Sequence, residues 1–213
     1  MATIDGLCAQ FTYRHPELTA RRHRANRAER PDHRTTLAQL RSMRESHLGV
    51  TVSQGDWQTR IIAFIESIGI EVATKSIPSS FLPGVTIEQG TLFFDPERLL
   101  HCGDLLHEAG HIAVTAPEER FRAVDPDAGL EMAAIAWSWA ALKHLELPAD
   151  VVFHEGGYRG ASQSIIEAFQ TGPGFGVPLL EWVGMTATGQ RAEEAGVAPF
   201  PHMLRWVRPE GTI

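Results

Sequence analysis

Cysteine is scarce in this chain, which has two cysteines, Cys8 and Cys102, among 213 residues. Two widely separated cysteines cannot build the disulfide framework on which small secreted domains depend. The first residues, Met1 to Ala9, also lack the basic start and the apolar core of a signal peptide. Both absences favour a cytoplasmic location, and we expect Cys102 to be a small packed residue rather than a reactive thiol.

Long apolar runs are missing as well. The longest uncharged helical stretch, Met132 to Leu142, would span about 16 Å as a helix, which is well short of the apolar thickness of a bilayer. The chain also contains no P-loop, no dinucleotide-binding glycine fingerprint and no G-x-S-x-G elbow. We therefore expect no membrane span, and the enzyme classes that depend on those motifs have no support.

Charge is distributed unevenly along the chain. Residues 1–47 carry nine arginines against five acidic residues, a net charge of +4. Residues 48–213 carry a net charge of −11, which gives −7 for the whole chain. Arg14 to Arg34 has little apolar periodicity and is interpreted as a solvated arm, with a short helix from Thr35 to Leu48 after it. The sequence thus predicts a basic arm over residues 1–50 and one folded domain over residues 51–213.

Hydrophobic spacing after residue 50 predicts the order α-β-β-β-α-α. The first helix has five apolar residues on one face, Trp57, Ile61, Phe64, Ile65 and Ile68. Ile70 to Thr74 alternates as a strand, and Val85 to Glu88 and Thr91 to Phe94 form a predicted hairpin around the turn Gln89-Gly90. The predicted class is α+β, with a small antiparallel sheet packed on the helices.

The most informative motif is His107-Glu108-Ala109-Gly110-His111, which matches the H-E-x-x-H pattern of zinc hydrolases. Residues four apart lie on the same face of a helix, so both imidazoles can bind one tetrahedral ion. Glu108 then lies beside the ion and can take a proton from a water whose pKa zinc lowers to about 7. The motif predicts one Zn²⁺ per chain, with His107 and His111 as ligands and Glu108 as the catalytic base.

Apolar residues flank the motif on both sides and indicate a buried helix; they are Leu105, Leu106, Ile112, Ala113 and Val114. Asp104 is expected to cap this helix at its start. Two histidines and a glutamate are costly to bury without a metal ion, which argues against an ordinary core helix.

A catalytic zinc site needs a third protein ligand. The metzincin pattern is excluded because Val114 and Pro117 stand where its glycine and third histidine would be. Glu131, near the start of a predicted buried helix from Ala128 to Leu147, is the preferred ligand, because an isolated carboxylate is costly to bury there. The alternative is that Glu131 binds no metal and is simply a first-turn glutamate stabilised by the helix dipole. Four other residues compete as ligands: Asp125, Asp127, His154 and Glu155.

With these residues the chain resembles the glutamate-zincins and, more narrowly, the ImmA/IrrE-type metallopeptidases. The matching pieces lie within residues 57–150: a strand, the H-E-x-x-H helix, and a second helix with a glutamate in an Ala-rich run. The family's usual Glu-Ala-Asn is replaced by Glu131-Met132-Ala133, and Ile135 stands where thermolysin-like enzymes have an acidic residue. The resemblance implies a zincin-like fold, peptidase activity, the ligands His107, His111 and Glu131, and a peptide or protein substrate such as a transcriptional repressor.

Irregular sequence after Pro148 supplies two more candidates. Tyr158 or His154, in a glycine-rich stretch, could donate a hydrogen bond to the oxyanion formed during hydrolysis, whereas an ordinary surface loop is the competing interpretation. Short packing helices are expected over Ser162 to Gln170 and Val177 to Gly184.

The alternative function is a non-hydrolytic zincin-fold module that contacts a partner or nucleic acid through the basic arm. Nucleic acid is the less favoured partner, because no aromatic residues alternate with the arginines. The sequence leaves the oligomeric state open.

Overall fold

The computed structural model describes residues 54–122, 127–172 and 174–211. The predicted basic arm with its short helix, the boundary at residue 50 and the candidate ligand Asp125 lie outside the described residues.

Seven α-helices and three strands form the described part of the chain. In sequence order they are α1 (Gln54–Ser67), β1 (Val72–Thr74), β2 (Val85–Glu88), β3 (Thr91–Phe94), α2 (Asp104–Val114), α3 (Ala128–His144), α4 (Ala149–Val152), α5 (Ser162–Thr171), α6 (Val177–Trp182) and α7 (Gly189–Ala195). The α+β class and the predicted order of the first six elements are confirmed. No helix in these described ranges has both the length and the apolar character needed to cross a membrane.

The three strands form one mixed sheet in the order β1-β3-β2. β2 and β3 are the predicted hairpin, and Gln89 and Gly90 both have positive φ, 50° and 80°, as a two-residue type I′ turn requires. β1 instead pairs with β3 in parallel. The prediction of an antiparallel sheet is therefore wrong for this pair. The connection over residues 75–84 is long enough to carry the chain to the far side of β3, so β3 runs between β1 and β2.

Helix α1 covers one side of the core. Ile61 and Ile65 are fully buried, and Phe64 is nearly so. The helix packs on α2 and β1, and Gly69, with φ of 87°, follows its end in the left-handed conformation that glycine adopts easily. The predicted amphipathic helix is confirmed.

Helices α2 and α3 form the centre of the fold. Every residue of α3 from Ala133 to Leu142 is buried, so this part of the helix is surrounded by protein. It ends at His144 rather than at Leu147, because Glu146 takes a positive φ of 52°. The two helices approach closely at Gly110: a Cβ atom at that position would lie 2.9 Å from the carbonyl oxygen of Ala134. A glycine at this motif position therefore allows the two helices to bring their side chains together.

Residues late in the chain connect the two central helices. The indole Nε1 of Trp137 donates to the carbonyl oxygen of Trp206 at 2.8 Å, and the backbone N–H of Arg208 donates to Ala113 at 2.8 Å. Arg120 also donates to the carbonyl oxygen of Arg208 at 2.9 Å. These bonds join α3 and the end of α2 to the same short segment.

The remaining predictions about packing are confirmed. Helices α5 and α6 occupy the two stretches in which short helices were expected. Cys102 has 3% of its surface exposed and is a free thiol, and burial raises its pKa. A buried thiol with a raised pKa is poorly nucleophilic, as expected for a packing residue.

Candidate metal centre

Helix α2 brings the two histidines of the motif together. His107 and His111 are one helical turn apart, and their Nε2 atoms lie 3.2 Å from each other. Their side chains are 12% and 10% exposed. Both imidazoles therefore direct the same ring nitrogen to one small, nearly dry space.

Helix α3 adds a carboxylate to that space. Glu131 lies in the first turn of α3, with Oε1 3.5 Å from the Nε2 atom of His107 and Oε2 3.2 Å from that of His111. One donor atom from each of the three residues can be chosen so that all lie within 4.8 Å of one another. The structure thus brings together the three predicted ligands, two histidines from α2 and a glutamate from α3.

The donor set suits a zinc ion in both chemistry and spacing. Ligand atoms about 2.0–2.1 Å from a tetrahedral ion are separated from one another by about 3.3–3.4 Å. The two Nε2 atoms are 3.2 Å apart, close to that value, and each lies 3.2–3.5 Å from a different oxygen of the Glu131 carboxylate. A buried group of His107, His111 and Glu131 could therefore hold one metal ion.

The competing ligands that the structure describes have other positions. The side chain of Asp127 accepts hydrogen bonds from the backbone N–H groups of Gly129 and Leu130 and so caps α3. Glu155 is exposed to solvent. Neither residue, nor His154, joins the group of converging donor atoms.

The pKa shifts of two of these three residues favour the protonation states that metal binding needs. Burial, together with the neighbouring His111, lowers the pKa of His107 to about 4, so this imidazole is neutral at pH 7. Burial alone would raise the pKa of Glu131, but its hydrogen bond to His111 and its electrostatic interactions with the two histidines outweigh burial and lower it. Neutral imidazole and ionised carboxylate are the forms that bind a metal.

The other two groups have raised pKa values. Burial lowers the pKa of His111, but the hydrogen bond to Glu131 and the charge of Glu108 outweigh it, so the net shift is upward. Burial is the largest cause that raises the pKa of Glu108, to about 7, and the charge of Glu131 adds to it. A carboxyl group with a pKa near neutrality is suited to accept and return a proton.

Asp104 does not cap its helix as predicted. Gly103 is the N-cap residue and makes no side-chain cap. The carboxylate of Asp104 turns instead to His154, whose Nε2 lies 2.9 Å from Oδ1. The cap prediction is wrong because the Asp104 carboxylate forms a hydrogen bond with the buried imidazole of His154, from a distant loop, and none with the backbone N–H groups at the start of α2.

Tyr158 lies against His107, one of the two histidines of the candidate site. Its ring packs edge-on against His107 with 5.6 Å between centroids. Burial, and then the charges of Asp104, Glu131 and Glu108, raise the pKa of its phenol well above the usual value. The hydroxyl therefore stays protonated and can donate a hydrogen bond. The structure places Tyr158 beside the candidate site and His154 beside Asp104.

Sequence reasoning missed the contacts around His154. His101 stacks on the His154 ring with 3.6 Å between centroids. Asp104 stands three residues before His107, so a shared helical face could have been inferred. Its partner is 50 residues away, and spacing along the chain carries no signal for such a pair.

Comparison with known proteins adds no family to this description. No protein-family model, no curated protein and no solved structure matches the chain. What is established is the fold class and a side-chain group, His107, His111 and Glu131, that could hold a metal ion.

Proposed function

We propose that this protein is a zinc-dependent metallopeptidase of the glutamate-zincin type, similar to the ImmA/IrrE-type enzymes. His107, His111 and Glu131 would be the zinc ligands. The observation that carries the proposal is that two histidines from an H-E-x-x-H helix meet a glutamate from a second helix at 3.2–3.5 Å. Two histidines and a carboxylate are a known ligand set of catalytic zinc sites.

Glu108 is the general base in this proposal. When bound, zinc supplies a Lewis acid that polarises the substrate carbonyl and lowers the pKa of a bound water. Glu108 accepts the proton of the attacking water and later gives it to the amine that leaves. Burial raises its pKa to about 7 in the metal-free fold, which makes this carboxylate a stronger base than an exposed glutamate.

Tyr158 is the candidate that stabilises the oxyanion. Its protonated phenol belongs to a side chain that packs on His107. A hydrogen bond from a fixed donor is stronger in a site with little water, and it acts on the charge that develops as the carbonyl is attacked.

A peptide substrate is supported by the sheet. Strand β2 is at an edge of the order β1-β3-β2 and packs beside α2. Its pairing register with β3 leaves the N–H and C=O groups of Ile87 directed away from β3. An extended peptide can add to such an edge through backbone hydrogen bonds. By resemblance, a transcriptional repressor would be one such substrate.

The test of this proposal is Glu108→Gln, with Glu155→Gln as the matched control on an exposed glutamate. Glu108→Gln should keep one zinc per chain and lose hydrolysis by about 100-fold or more, because the amide cannot accept the proton. The control should keep both. A mixture of unstructured peptides, with fragments identified by mass spectrometry under zinc and under chelator, measures cleavage without a known substrate. Equal cleavage by Glu108→Gln and wild type would contradict the mechanism.

A further inference from the structure

We propose that the Asp104–His154 hydrogen bond is a positioning element that holds the Tyr158 loop, residues 153–160, against the metal centre. His154 would then act through Tyr158 and would not touch the substrate. The inference deepens the proposed function and rests on it for its effect on catalysis, but the structural part can be tested alone.

The first observation is that the pair is almost dry. The side chains of Asp104 and His154 are 6% and 11% exposed, and Nε2 lies 2.9 Å from Oδ1. Hydrogen bonds to a charged group are stronger than neutral ones, and a low local dielectric strengthens them further. Because Asp104 belongs to α2, this bond ties the loop to the helix that carries the metal-binding histidines.

The second observation is that the loop folds closely around the His154 ring. A Cβ atom at Gly156 would lie 3.3 Å from Nδ1 of that ring, and one at Gly157 would lie 3.2 Å from Cε1. The carbonyl oxygen of His154 accepts hydrogen bonds from Gly157 N–H at 3.0 Å and from the hydroxyl of Ser162 at 2.7 Å. The loop backbone thus packs against the imidazole, whose Nε2 faces Asp104, while its Nδ1 has no hydrogen-bond partner among the described residues.

The third observation is strain immediately after this anchor. Tyr158 and Arg159 have φ values of 49° and 52°, a left-handed conformation that costs roughly 1–2 kcal/mol for each residue with a side chain. Such a conformation persists only where surrounding contacts impose it. The Tyr158 ring contacts Phe153 at 5.2 Å and His107 at 5.6 Å between centroids.

These contacts form a closed path on one helix. The path leaves α2 at Asp104, passes through His154 and the strained loop, and returns through Tyr158 to His107, one turn along the same helix. Breaking the first contact lets the strained residues relax, and Tyr158 then leaves His107. This role explains why a buried carboxylate is present at the start of α2 without capping it.

The test uses the small number of tyrosines. The chain has two, Tyr13 and Tyr158, so Tyr13→Phe protein labelled with 3-fluorotyrosine gives a ¹⁹F NMR signal from Tyr158 alone. His154→Phe removes the hydrogen bond and keeps an aromatic ring to stack on His101. His154→Gln keeps an N–H donor for Asp104 and is the conservative rescue. Glu155→Gln is the control on the same loop.

We expect the ¹⁹F signal of His154→Phe to move toward that of solvent-exposed fluorotyrosine, while His154→Gln and Glu155→Gln stay near the parent signal. Zinc content should remain one per chain in all of them. In the peptidase assay, kcat of His154→Phe should fall about 100-fold with KM changed little, since a lost oxyanion donor acts on the transition state.

An unchanged ¹⁹F signal in His154→Phe overturns the proposal, whether or not activity falls. Should that variant fail to fold, Asp104→Asn weakens the same bond by removing its charge and should move the signal in the same direction by less; no movement there also overturns it. Absence of peptidase activity in the parent protein would remove the proposed function and leave the NMR result to decide the positioning role.

Discussion

The candidate site has two halves that differ in how they are built. His107, His111 and Glu131 come from regular helices with close packing between them. Tyr158 comes from a loop with two consecutive residues at positive φ. The helical half is held by many backbone hydrogen bonds and by buried apolar surface, whereas the loop half has few backbone hydrogen bonds and a few side-chain contacts. We expect the ligands to tolerate changes in the loop, and the loop to be sensitive to single substitutions.

The largest effect on the helical half is expected at Glu131. Glu131→Ala should weaken zinc binding by well over the 10–100-fold that is typical for loss of a group that only supports a ligand, because a donor atom is lost. Zinc content after dialysis, with competition against a chromophoric chelator, measures the change.

Two control variants test whether the loss of zinc is specific to Glu131. Asp127 caps the same helix, so Asp127→Ala should lower stability by about 1 kcal/mol through the lost cap and keep one zinc per chain. Glu155→Ala should leave both stability and zinc unchanged. If either control empties the site while Glu131→Ala stays loaded, the ligand assignment is wrong.

Gly110 tests the close approach of the helices. Replacing glycine by alanine inside a helix normally stabilises it by roughly 0.5–1 kcal/mol. Here the new Cβ atom would lie 2.9 Å from the carbonyl oxygen of Ala134, so Gly110→Ala should instead destabilise the protein by about 1–3 kcal/mol. Zinc affinity should fall with it, because Glu131 moves away from the histidines. Urea unfolding of the two proteins decides the sign, and a more stable Gly110→Ala protein would show that the helices can separate freely.

Glu108 gives a smaller effect, which depends on pH. Burial raises its pKa from 4.5 to about 7 in the folded, metal-free protein. The protonated form therefore stabilises the fold below pH 4.5, and this contribution is lost as the pH rises through 7. Metal-free Glu108→Gln stays neutral, so above pH 7 it should be more stable than metal-free wild type by roughly 2 kcal/mol after solvent screening.

The difference between these two proteins should close as the pH falls toward 4.5. Urea unfolding in the presence of chelator, at pH 5, 6, 7.5 and 8.5, measures it. A difference that is constant over this range would mean that the carboxyl group of Glu108 is not desolvated in the fold.

The same contrast explains which parts of the structure could be predicted from the sequence. Helical spacing of residues predicts α1 and the face shared by His107 and His111. The Gln89-Gly90 pair predicts the turn between β2 and β3. Both signals are local in sequence. Glu131 could be ranked above other carboxylates because burial without a partner is costly. Its contact with the histidines depends on the packing of two helices, which only the structure describes.

The failures of sequence reasoning come from non-local contacts. Nothing near β1 in sequence shows that β3 lies between β1 and β2. Asp104 has the residue type and position of a helix cap, yet it pairs with a histidine 50 residues away. In both cases a distant segment decides between two locally acceptable arrangements, so local propensity cannot select the correct one.

The hydrogen bonds of Trp206 and Arg208 to the central helices have a consequence for synthesis of the protein. Trp206 is 69 residues after Trp137, and the guanidinium of Arg208 reaches the carbonyl oxygen of Val114 across 94 residues. A ribosome therefore makes all the metal donors well before the segment that fastens their helices. Contacts between such distant residues form late in folding, because a long loop must first close. We therefore expect the candidate metal donors to gain a rigid frame only after residues 206–208 have been made and have bonded to the two central helices.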